Sequence, residues 1–114
     1  MNNPPKTVTA LFRFHPERWT QGTNARNKWN ELVRATDPSA CRWCLYAAII
    51  KIYGPQGFAT NIFSRFQHIL SDWQQTDKRL QDISIVGFND RPETTYSDIM
   101  RLIDEVSLKA GREI

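Results

Sequence analysis

The sequence predicts a mainly α fold, a compact single domain of about four helices around a central buried helix at residues 38–53, with a short extended segment near 83–88. Three observations carry this prediction. The stretch from Asp37 to Gly54 is apolar nearly all round. It lies between a helix start signal, Asp37-Pro38, and a stop signal, Gly54-Pro55, so other elements must enclose it. Residues 58–73 and 96–110 each repeat apolar side chains at the three-to-four spacing of a helix that buries one face. Finally, 114 residues with 40% apolar content suffice for one core, while 24% charged residues cover an ordinary surface.

Taken in order, residues 1–6 read as a disordered leader, 7–111 as the helical domain and 112–114 as a tail. Between Thr7 and His15 two patterns compete. Val8, Leu11, Phe12 and His15 keep helical spacing, whereas Val8, Ala10, Phe12 and Phe14 alternate as in a strand; a short helix is favoured, and Pro16 ends it. Residues 17–30 form a long polar connection held down by Trp19 and Trp29, and 31–35 add a helical turn before Asp37. After the turn Gly54-Pro55-Gln56-Gly57, Ala59, Ile62, Phe63, Phe66, Ile69, Leu70 and Trp73 fall on one helix face. Residues 74–82 are a polar linker, Ile83 to Phe88 an extended segment, and Asn89-Asp90-Arg91-Pro92 a turn. Thr95, with Asp98 three residues later, opens the last helix as a capping box, its stripe runs from Tyr96 through Ile99, Met100, Ile103 and Val106 to Ala110, and Gly111 closes it.

Composition narrows the classes of function. No apolar run approaches the roughly 18–20 residues that span a bilayer, and the first residues lead into no signal-like stretch, so a soluble cytoplasmic protein is expected. Two cysteines three residues apart make no secreted disulfide framework. The net charge of +3 is unevenly spread: residues 1–57 carry eight Lys/Arg and three Asp/Glu, residues 58–114 seven and nine. That asymmetry fits either a basic face for an anionic partner or two halves that complement each other.

Cys41-Arg42-Trp43-Cys44 has the spacing of a redox or zinc pair. No strand is evident before it to set Cys41 at a helix N-terminus, and His15 and His68 stand at unrelated spacings, so two packed thiols are the expected reading, with no metal and no cofactor. Cys44 as nucleophile with His68 as base and Asn89 or Asp90 as orienting group is the weaker, catalytic alternative. The basic aromatic segment 13–34, with Arg13, Arg18, Arg26, Lys28 and Arg34 around Trp19 and Trp29, joins Arg42 as the better binding candidate, able to hold phosphates while a ring stacks on a base.

The motifs Arg18-Trp19-Thr20-Gln21-Gly22 with Ala25-Arg26, Arg42-Trp43-Cys44 with Ala47-Ala48, and Phe88-Asn89-Asp90 with Thr94 and Thr95 give a resemblance. In this order, from about Trp19 to Val106, the chain resembles a family of small bacterial and phage proteins of unknown function, DUF6197, with Ala47 standing where many members have glycine. The resemblance implies no activity. It implies that Trp19, Gly22, Arg26, Cys44, Asn89 and Asp90 converge at the central helix, at its N-terminal end. The expected function is a non-enzymatic accessory or regulatory module binding a macromolecule, a protein first and a nucleic acid as alternative, in a bacterial or mobile-element setting. The binding residues expected are Trp19, Gln21, Arg26, Trp29, Arg42, Asn89 and Asp90.

Overall fold

The computed structural model describes residues 4–55 and 58–114, apart from the side chains of Phe58 and Ala59. Residues 1–3 of the expected leader, Gln56 and Gly57 of the expected turn, and the place of Ala59 on its helix face lie outside the described residues. The fold is mainly α, as the periodicity requires. Its helices are α1 (Val8–Phe12), α2 (Leu45–Tyr53), α3 (Phe58–Gln74), α4 (Ile85–Asp90) and α5 (Tyr96–Ala110). Three two-residue strands, β1 (Ala25–Arg26), β2 (Leu32–Val33) and β3 (Arg42–Trp43), form an antiparallel sheet in the order β2-β1-β3.

The two long helices follow the sequence closely. In α3, Ile62, Phe66, Ile69 and Leu70 are buried and Phe63 and Trp73 partly so; in α5, Ile99, Met100, Ile103 and Val106 are buried together with Leu102. Thr95 caps α5 by accepting from the Asp98 amide while Asp98 accepts from the Thr95 amide, and Gly111 ends it with φ 73°. Helices α3 and α5 pack side by side, α2 packs on α3 and α4, and α1 closes the other side against α2 and α5. Helix α1 settles the ambiguity of residues 7–15: Thr7 accepts from the Ala10 amide and caps it, and Val8, Leu11 and Phe12 enter the core.

Five local expectations are corrected. The central helix begins at Leu45, not at 38, because Asp37 heads a turn instead of a helix: its carboxylate accepts from the Ser39 amide and its carbonyl from the Ala40 amide. An Asp-Pro pair serves a type I turn as readily as a helix start. Residues 42–43, read as helical because they lie between the start and stop signals, are instead strand β3, with Trp43 facing the core. Residues 31–35 hold strand β2 instead of a helical turn, so the last part of the 17–30 connection, from Ala25, is the first half of a β-hairpin. Residues 83–88 are not extended and Asn89-Asp90 is not a turn: Ser84 accepts from the Gly87 amide and starts α4, which places Ile85, Phe88 and Asn89 inward. At the other end Ile114 is fully buried, its carbonyl accepting from Val8 and from the Tyr53 hydroxyl, so residues 112–114 are tied to the core and do not form a tail.

Candidate functional site

Helix α2 starts where the chain leaves the sheet, and its first amides need partners from outside the helix. Cys44 is the cap, its Sγ accepting from the Ala47 amide at 3.3 Å. The Leu45 amide is met by Asn89, 44 residues away, whose Oδ1 accepts from it at 3.0 Å. The same oxygen accepts from Trp19 Nε1 at 2.7 Å, while Asn89 Nδ2 donates to the Thr20 carbonyl at 3.1 Å and to Asp90 Oδ1 at 2.8 Å. Asn89 is fully buried, and the two acceptor and two donor positions of its amide are all used.

Around Asn89 the Trp19–Gly22 segment is fastened to the end of α4. Gln21 Nε2 donates to the carbonyls of Asn89 and Arg91 at 2.8 and 2.9 Å, and the Gly22 amide donates to Asp90 Oδ1 at 3.0 Å. Gly22 reaches this geometry with φ 81°, a backbone that favours glycine. The Thr20 amide donates to the Trp43 carbonyl, and Trp19 bridges Trp43, so the segment is also joined to β3. Trp19, Gly22, Cys44, Asn89 and Asp90 therefore do come together at the N-terminal end of the central helix, joined by Gln21, whereas Arg26, expected among them, reaches only the neighbouring Thr20 and Asn30. The converging residues form a latch whose described polar contacts point at one another.

The chemistry of the cysteines follows from the backbone. Between Cys41 and Cys44 the chain is a strand, which carries two residues three apart to about 10 Å, beyond the reach of a disulfide. Burial pushes the Cys44 thiol above its ordinary range; the Ala47 amide pulls it down, and the nearby Asp90 carboxylate adds to the rise. This is the reverse of an activated nucleophile. His68 is not brought to it: it lies exposed on α3, 3.7 Å from Asp72. Among the described residues no group of three or more His, Cys, Asp or Glu is placed to hold a metal ion.

Of the remaining predicted residues, Arg26, Lys28, Trp29, Arg34 and Arg42 lie on or beside the hairpin sheet, whereas Arg13 is paired with Asp104 of α5 and Arg18 donates to the Leu11 carbonyl, so these two do not join them. Strand register sets Arg26 directly opposite both Arg42 and Leu32, on the face away from the core, while Ala25, Val33 and Trp43 share the inward face. Arg26 is held in place by bonds from Nε to Thr20 Oγ1 and from a terminal nitrogen to the Asn30 carbonyl. Trp29 stands at the tip of the β1–β2 hairpin, 66% exposed, with Lys28 Nζ 4.6 Å from its ring centre. The tip is built by the buried Asn27: its Oδ1 accepts from the Trp29 and Glu31 amides and its Nδ2 donates to the Glu31 carboxylate. Leu32 and Asn24, absent from the sequence-derived candidates, border an open groove of about 460 Å³ together with Thr23, Val33, Arg34 and Asp37. Alternation along two-residue strands is too short a signal to have revealed them.

The molecule is thus a small α-rich domain that carries a hairpin sheet, clamped to its helices by a buried asparagine. The chain belongs to a family of unknown function (DUF6197), which matches residues 9–107. Neither the curated proteins nor the solved structures compared with it gave a match.

Proposed function

We propose that the chain is a non-enzymatic accessory module that binds a macromolecular partner through the outer face of its hairpin sheet, in the cytoplasm of a bacterial or phage-infected cell. The observation that supports this reading is the contrast between the two regions just described. The latch uses its polar groups on itself, and its one thiol is buried and raised in pKa. The hairpin sheet instead carries Trp29 at its tip and Leu32 on its outer face, 66% and 67% exposed, the latter in one row with Arg26 and Arg42 across the strands and Arg34 exposed just beyond. Tryptophan and arginine on a rigid, exposed support are the residue types that anchor interfaces. Among the described residues no helix is long and apolar enough to cross a membrane.

The test is retention of macromolecules, protein and nucleic acid alike, on the immobilised wild-type chain and on a Trp29→Ala/Arg42→Glu variant of unchanged far-UV circular dichroism. The wild type is expected to retain a partner that the variant loses. A partner held equally by both would remove the sheet face from the binding role, and turnover of a substrate by the chain would end the non-enzymatic reading.

A further inference from the structure

We propose that this face binds a single strand of nucleic acid, with Arg26, Lys28, Arg34 and Arg42 on its phosphates and Trp29 stacked on an unpaired base. The inference rests on the reading that the hairpin sheet is an interface, and names its partner. Charge is the first argument. Among the described residues none of these four cations has a carboxylate within ion-pair distance. The two acids of the segment are engaged in their own turns, Glu31 by Asn27 and Asp37 by Ser39.

The second argument is register. Arg26 and Arg42 are cross-strand partners, and like charges directly opposite each other work against a sheet. An external anion between them would relieve that repulsion, and departures from local consistency gather at functional sites. Arg26 is also anchored by Thr20 and Asn30, so its guanidinium is held in position before any ligand arrives.

The third argument selects an unpaired strand over a duplex. Lys28 occupies one face of the Trp29 ring, while the ring projects from a hairpin tip whose backbone Asn27 has fixed. A projecting indole that is 66% exposed stacks on a splayed base and finds nothing to stack on in a closed helix. Along the same hairpin, the groove lined by Thr23, Asn24, Leu32, Arg34 and Asp37 offers an amide and a hydroxyl for a base edge next to an apolar contact.

The experiment is fluorescence anisotropy with labelled single-stranded RNA, single-stranded DNA and a duplex of the same sequence, each at several salt concentrations. Single strands are expected to bind in preference to the duplex, with a logarithmic salt slope of about −3 for four phosphate contacts. Arg42→Gln is expected to flatten that slope by about 0.7, and Trp29→Ala to weaken binding about tenfold at every salt concentration. Both side chains are exposed, and a melting curve matching that of wild type shows that each variant is folded. Preference between RNA and DNA reports which strand is the natural one, and either preference supports the proposal. Absence of salt-dependent binding, equal affinity for the duplex, or affinity unmoved by both variants would overturn it. Capture of a protein through Trp29 and Arg42, without nucleic-acid binding, would overturn this inference while the interface reading stands.

Discussion

Replacing Asn89 by alanine removes four hydrogen bonds at once, and the structure allows the cost to be apportioned. The Leu45 amide sits in a fully buried bond at the start of α2, so its loss leaves an orphan donor costing about 2 kcal/mol. Trp19 Nε1 and the Thr20 carbonyl are only partly buried; water recovers some of their bonding, and each costs about 1 kcal/mol. The bond to the exposed Asp90 counts for little. The expected destabilisation is about 4 kcal/mol, a large share of the roughly 5–15 kcal/mol that holds a domain of this size together. In thermal unfolding it corresponds to a fall in Tm of about 15 °C. Urea unfolding monitored by circular dichroism measures it directly. Asp90→Ala, which loses one bond to Gly22 and one to Asn89, is expected to cost about 1 kcal/mol or less. Asn89→Asp keeps both acceptor bonds but cannot donate to Thr20 and faces Asp90, so it falls between the two. If Asn89→Ala stays within about 1 kcal/mol of wild type, or costs no more than Asp90→Ala, the reading of Asn89 as the clamp of this fold is wrong.

Three further outcomes follow from the same geometry. Gly22→Ala forces a Cβ onto a backbone with φ 81° and is expected to cost about 1–2 kcal/mol by urea unfolding; since no atom lies within 4 Å of that Cβ, the cost is conformational, and an unchanged midpoint would contradict it. Iodoacetamide at neutral pH is expected to label the partly exposed Cys41 and leave the buried Cys44 unmodified in the native protein, both reacting once urea unfolds it; mass spectrometry of the peptides reads the pattern, and rapid native labelling of Cys44 would refute its burial and raised pKa. The Asp77 carboxyl, hydrogen-bonded by Arg79, is lowered from 3.8 to about 2. A carboxyl lowered in the folded state stabilises above its unfolded pKa and loses that contribution as pH falls through the folded one. Wild type is therefore expected to exceed Asp77→Asn in urea midpoint at about pH 5, the gap closing by about pH 2; a gap constant across that range would refute the pairing.

How much of the site was legible in the sequence depends on the range over which each residue acts. The order Trp-Thr-Gln-Gly, Arg-Trp-Cys and Phe-Asn-Asp was enough to expect that Trp19, Gly22, Arg26, Cys44, Asn89 and Asp90 converge, and the structure brings all but Arg26 together, Arg26 turning to Thr20 and Asn30. Their role was not legible. An asparagine before an aspartate reads as a turn, and only the positions of Trp19, Thr20 and Leu45 reveal that its amide is spent inward. In the same way Arg26 and Arg42 are two separate basic residues until register sets them side by side.

The sequence by itself determined α3 and α5 with their buried faces, the capping box at Thr95 and the stop at Gly111. The signals for these elements lie within a few residues of one another and repeat over several turns. The tertiary structure alone decided where α2 begins, that residues 25–43 form a sheet, and that residues 85–90 are helical. Two-residue strands carry no periodicity, Asp37-Pro38 suits a turn and a helix equally, and the bond that satisfies the first amide of α2 comes from Asn89, 44 residues away. Such choices are made by the pairing of distant backbone groups, which no local pattern records.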